Sequence, residues 1–180
     1  MPTVSNVSAG KPKISGAVFR APSGTALPTD ATTALANTYK ELGFVSEDGV
    51  TNNNTPKSDN IKAWGGQTVL VVQNEKNDEF TFTLIEALNV EVLKTVYGPD
   101  NVTEANGAIT IEATADPIPN AVYVIDVVMT GGKAKRIVIP DGAISEIGKI
   151  TYKDDEPIGY ELTVNALPDA SGVNHYEYIA

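Results

Sequence analysis

The chain predicts a mainly β protein, a β-sandwich or barrel with one flanking α-helix, and three observations carry that prediction. Turn signals recur about every ten residues in the second half, at Asn106-Gly107, Asp116-Pro117, Gly131-Gly132, Pro140-Asp141-Gly142 and Pro157-Ile158-Gly159, a spacing that suits short antiparallel strands. Apolar and polar residues alternate with a period of two at 79–86, 109–114 and 160–167, as half-buried strands require. One window alone, near 85–97, repeats its apolar residues at helical spacing.

Residues 1–12 hold Pro2, Gly10 and Pro12 among small polar residues and read as an extended arm. A short first strand is expected over 13–20. Pro22, Gly24 and Pro28 make 21–30 turn-rich. A brief helical turn over 31–37 and a strand over 39–45 follow. Residues 60–73 read as a strand interrupted at Gly65-Gly66, since paired glycines inside a strand mark a bulge or a close backbone approach. Residues 74–78 read as a charged turn. In 79–86, Phe80, Phe82 and Leu84 point one way and Thr81, Thr83 and Ile85 the other.

The helix is predicted from Ile85, Leu88, Val92 and Val96, joined by Leu93. Asn89 serves as N-cap, Glu91 lies in the first turn and Lys94 near the end, and Gly98-Pro99 stops it. Its β-branched residues oppose helix formation; the caps outweigh them. Leu88, Val92 and Val96 are expected to pack on a sheet, with Glu91 and Lys94 turned outward.

Residues 121–130 are apolar on both faces and belong in the middle of a sheet. Gly131-Gly132 is a two-residue hairpin signal, returning the chain over 133–139. A turn at 140–142, a strand over 143–152, an acidic turn over 153–159 and a strand over 160–167 complete the body. The expected organisation is an N-terminal arm (1–12), one domain (13–168) and a C-terminal tail (169–180) able to dock as an edge strand.

Thirteen basic against 23 acidic residues give a net charge of −10. Such a surface either repels nucleic acid, whose binding needs Lys and Arg to displace phosphate counterions, or serves solubility alone. The chain has no cysteine, so disulfides, thiolate nucleophiles and Cys-ligated zinc are excluded. No run of about 18 apolar residues suggests a membrane span, and the first residues do not read as a secretory leader.

An enzymatic reading lacks parts. His175 is the single histidine, five residues from the end of the sequence, and a Ser-His-Asp set would need that tail folded into a cleft. No Gly-rich phosphate loop occurs. Asp154-Asp155-Glu156, before Pro157, reads as a solvated turn. Ser46-Glu47-Asp48-Gly49 resembles the start of a calcium loop but lacks the ligand at the twelfth position. Asn53-Asn54-Thr55 and Asn101-Val102-Thr103 fit the glycosylation pattern, which carries no weight without a leader. No cofactor is implied.

What stands out is the polar stretch 46–59, with three consecutive asparagines, a proline and several charges. It cannot bury enough apolar surface to order itself, and loops of that length are functional or disordered. Ser46, Glu47, Asp48, Asn52, Asn53, Asn54, Lys57 and Asp59 are its candidate contact residues. Trp64, the single tryptophan, with Gly65 and Gly66, is expected to anchor the base of the loop in the core or in a subunit joint. A competing reading is a carbohydrate-binding or immunoglobulin-like surface module using Trp64 or the tyrosines in a groove. The absence of aromatic clustering opposes it.

The order of short motifs carries a resemblance. Gly-Phe-Val-Ser-Glu-Asp-Gly-Val from Gly43, a polar loop, Ile-Lys-Ala-Trp-Gly-Gly from Ile61, Phe-Thr-Phe-Thr-Leu-Ile-Glu from Phe80, a single helix ending in Val96-Tyr97-Gly98, Pro140-Asp141-Gly142-Ala143-Ile144, and Tyr160-Glu161-Leu162-Thr163-Val164 together resemble the major tail (tail tube) proteins of long non-contractile-tailed bacteriophages, especially those of Gram-positive hosts. The resemblance spans residues 43–167. It implies a β-sandwich with one helix, assembled into hexameric rings stacked as a tube, whose inner sheets join around a lumen that passes DNA without binding it. The long loop, the arm and the tail would make the inter-ring contacts. The partners implied are other copies of the chain, the tape measure, the tail terminator and the distal tail protein. The implied location is the virion tail, reached from the host cytoplasm.

Overall fold

The computed structural model describes residues 1–13 and 16–180. Its strands are β1 (Gly10–Pro12), β2 (Val18–Pro22), β3 (Lys40–Glu41), β4 (Val45–Lys62), β5 (Thr68–Leu84), β6 (Val102–Ala105), β7 (Ala108–Ile111), β8 (Ala121–Met129), β9 (Ala134–Ile147), β10 (Tyr160–Leu167) and β11 (Tyr176–Ile179), and its helix is α1 (Val90–Tyr97). The expected first strand begins at Val18; Ile14 and Ser15 lie outside the described residues.

All pairings are antiparallel. The main sheet runs β3-β2-β8-β9-β10-β5-β4, with β1 added beside β8 and β11 beside β9, and β6-β7 form a separate hairpin. The sheet folds over one core as a sandwich. Inward residues of β2, β5, β8, β9 and β10 meet Val92, Leu93 and Val96 of the helix there. The alternation in β5 buries Phe80, Phe82 and Leu84, and that in β10 buries Tyr160, Leu162, Val164 and Ala166. β8 is buried on both faces. Tyr123 and Ile125 enter the main core, while Val122 and Val124 join Ala21, Tyr39 and Val138 in a second cluster.

The helix forms where its caps lie. Asn89 accepts a hydrogen bond from the Glu91 N–H through its side chain, and Gly98 ends the helix at φ 99°, a conformation that strains side-chain-bearing residues. Val92 and Val96 are fully buried. Leu88 is not part of the helix and is 85% exposed, so its expected packing on the sheet is corrected. It precedes the N-cap and faces outward.

Four further expectations are corrected. Residues 31–37 contain bends but no helical turn; Asp30 organises them by accepting the N–H groups of Thr32 and Thr33. Strand 39–45 shrinks to two residues in β3. Pro140-Asp141-Gly142 is interior to β9, not a turn. There β9 changes its outer partner from β11 to β10, a break in the ladder that tolerates proline. Gly142 is required for contact, since a Cβ there would lie 2.5 Å from the Tyr123 ring. Residues 74–78 lie within β5.

Candidate assembly interface

The largest correction concerns residues 46–59. They form most of the 18-residue strand β4, paired along its length with the 17-residue β5. No period-two pattern marks it because neither face of the outer ribbon is buried. The backbone ladder, not an apolar face, orders it. The ladder's register shifts three times, first between Val45 and Val50, where Gly49 adopts φ 71°, the signature of a bulge. Pro56 is accommodated because β4 is an edge strand.

β5 pairs with β10 only over Glu79–Leu84. From Asp78 to Thr68 it pairs with β4 alone, so the ribbon leaves the body for roughly 30 Å at about 3.3 Å per residue. Ser46, Glu47 and Asp48 lie at its root on the bulge; Asn52, Asn53, Asn54, Lys57 and Asp59 follow outward. Cross-strand polar contacts stiffen it. Lys57 Nζ lies 3.0 Å from Glu75 Oε2, Asn74 donates to Asp59, and Asn52 donates to Asp78 at 2.9 Å.

Trp64, Gly65 and Gly66 make the turn at the far end, not the base of a loop. Gly65 (φ 108°) and Gly66 (φ 89°) supply the positive φ angles of that turn. Trp64 is fully exposed and belongs to no core cluster. Around it the ribbon turns apolar on both sides. Ile61 faces Leu70 across the strands, Val69 and Val71 take the opposite face, and all four are about half exposed. Isolated apolar side chains on a surface are ordinary, but a contiguous two-sided patch marks an interaction site.

The root of the ribbon holds a cluster that the sequence reading missed. Asp78 is buried at 4% exposure between Asn52 and His175. The His175 ring stands edge-on to Phe80 at 5.2 Å. β11, next in the chain, docks on β9. A lone histidine in a polar tail gave no signal of this role.

The basic residues of β9 are internally compensated. Arg136 is fully buried and grips Asp126 with two bonds, Nε–Oδ1 at 2.7 Å and Nη2–Oδ2 at 2.8 Å. Its Nη1 donates to the carbonyls of Asp30 and Thr33. The Asp126 bond raises the guanidinium pKa further above its ordinary value. Lys135 pairs with Glu177 at 2.9 Å. Lys133 forms no ion pair among the described residues.

The fold and its projecting ribbon with an apolar tip define a mainly β protein that carries an exposed interaction surface. The sequence model of a family described as phage tail tube protein matches residues 12–180, so the chain belongs to the phage tail tube protein family. No curated protein matches the chain. Membership makes it a non-enzymatic component of the virion tail that self-assembles together with other tail components. No helix among the described residues is long and apolar enough to cross a membrane.

Proposed function

We propose that the chain forms hexameric rings that stack into the tail tube of a long non-contractile phage tail, and that DNA leaves the capsid through its lumen. One observation carries this reading: a ribbon projecting roughly 30 Å with a two-sided apolar end. A monomer gains nothing from such an extension. In a stack it spans to the next ring, where burial of the indole alone removes on the order of 200 Å² from water. At about 25 cal/mol per Å² this contributes about 5 kcal/mol before ordering losses. Head-to-tail contacts of this type close into rings or continue as tubes.

In the assembled tube, Asn52, Asn53 and Asn54 at the ribbon's root and Lys57 and Asp59 further out face the neighbouring ring. The chain's further partners are the tape measure, the tail terminator and the distal tail protein, met during assembly in the host cytoplasm. The net charge of −10 supplies a field that lets DNA slide without adhering. Electron microscopy of the purified protein at rising concentration tests the reading. Six-fold rings or tubes are expected; a protein that stays monomeric at every concentration overturns it.

A further inference from the structure

The tip of the ribbon has a complementary surface elsewhere on the same chain. Residues 85–89, between β5 and α1, line a shallow, open groove on the surface. Leu88 stands exposed in it, and Phe44, 71% exposed, borders it through hydrogen bonds to Ile85 and Glu86. The Glu86 carboxylate accepts from the Phe44 N–H at 3.0 Å and from the Asn89 side chain at 2.9 Å. It has no cation partner among the described residues. At the tip, Trp64 is fully exposed and Lys62, two residues before it, likewise forms no ion pair among the described residues. One surface offers an apolar knob and a cation, the other a shallow groove with an exposed leucine and a carboxylate.

The two lie at opposite ends of one strand. The groove begins where β5 ends at Leu84, and the tip turn ends where β5 begins at Thr68, about 55 Å away for an extended strand. They cannot meet within a chain. We propose that the Trp64 tip of one copy seats in the 85–89 groove of a second copy, with Lys62 against Glu86. This rests on the ring-and-tube reading and names its joint. Because donor and acceptor surfaces differ, the contact is heterologous and repeats by translation along the ribbon. Leu88, unpacked in the isolated chain, is then an interface residue.

The absence of cysteine makes the test clean. Ala63→Cys protein is mixed with Leu88→Cys protein under oxidising conditions and assembled; disulfides form only when Cβ atoms approach to about 4 Å. A Glu112→Cys protein, likewise exposed but outside the 85–89 groove, replaces the second partner as control. Cross-linked pairs in the first mixture and none in the control are expected. Rings or tubes without the 63–88 cross-link overturn this joint while leaving the tube reading standing. Absence of both assemblies and cross-link overturns both. Leu88→Asp, at an exposed position, should melt like the parent and lose assembly. If it assembles like the parent, the groove is not the joint.

Discussion

Nδ1 of His175 lies 2.5 Å from Oδ2 of Asp78, joining the C-terminal segment to the root of the projecting ribbon. The other Asp78 oxygen accepts from Asn52 on β4, so β4, β5 and the chain's last segment meet at one buried carboxylate. His175→Ala would leave that carboxylate with Asn52 as its remaining side-chain partner. Leaving a buried acceptor short of a hydrogen-bond partner costs about 1–3 kcal/mol. Denaturant unfolding should show a loss of that size, and hydrogen exchange should quicken at 51–54 and 76–79. Unchanged stability and protection would mean that the tie holds nothing.

The buried pair Arg136–Asp126 ties β8 and β9 to the 30–33 segment. Arg136→Met strands the Asp126 carboxylate, helped among the described residues only by Lys13 at 3.5 Å, and frees the carbonyls of Asp30 and Thr33. Breaking a buried pair from one side costs about 3–5 kcal/mol. Replacing both members by apolar residues should cost much less. Melting curves of the single and double variants decide the matter; equal losses would remove the charge argument.

Acid should loosen the segments before β3 and after β10. Asp169 is held below the usual carboxylate pKa by the Tyr176 hydroxyl, then by the N–H groups of Val173 and Ser171. Asp30 is held well below it, chiefly by the Thr33 N–H, then by the Thr33 side chain and the Thr32 N–H. A depressed folded-state pKa contributes stability above the unfolded value, near 4, and that contribution is lost as pH falls through the folded value. Stability should therefore decline from about pH 4 downward. Asp169→Asn should be less stable than the parent at neutral pH and show a shallower acid limb. An identical limb would show that Asp169 is not among the groups responsible.

The body was legible because burial writes a period into the sequence. Phe80, Phe82 and Leu84, the four inward residues of β10, and the doubly buried run of β8 each carry that record. Asn89 and Gly98 marked the helix through local hydrogen-bonding and φ requirements. The ribbon was not legible, because a strand exposed on both faces leaves no period, and Asn-rich ladders read as loops. Gly65-Gly66 signalled a special backbone, but a turn and a bulge ask for the same glycine. The Asp78–His175 tie joins residues far apart in sequence with no local pattern. Leu88 fitted the helical spacing by position, yet the N-cap at Asn89 leaves it one step outside.

The ribbon itself gives the most direct test of how the fold serves assembly. Asn54 and Asp78 are cross-strand partners, so residues 55–77 can be replaced by an Asn-Gly turn, which favours hairpin closure. The cut leaves Asn52, Asp78 and His175 in place and removes only residues outside both core clusters. Folding stability should therefore stay within about 0.5 kcal/mol of the parent, as for surface changes. Trp64→Ala should likewise melt as the parent does, because the indole touches no core. Assembly should separate the two. The shortened ribbon should give a folded subunit that forms no tube, and Trp64→Ala should raise the concentration needed for tubes at least tenfold, which corresponds to a loss of about 1.4 kcal/mol per contact. Sedimentation and electron microscopy read both results. A shortened protein that polymerises at the parent's threshold would show that the rings are held by other surfaces, and the apolar tip would then need a different partner.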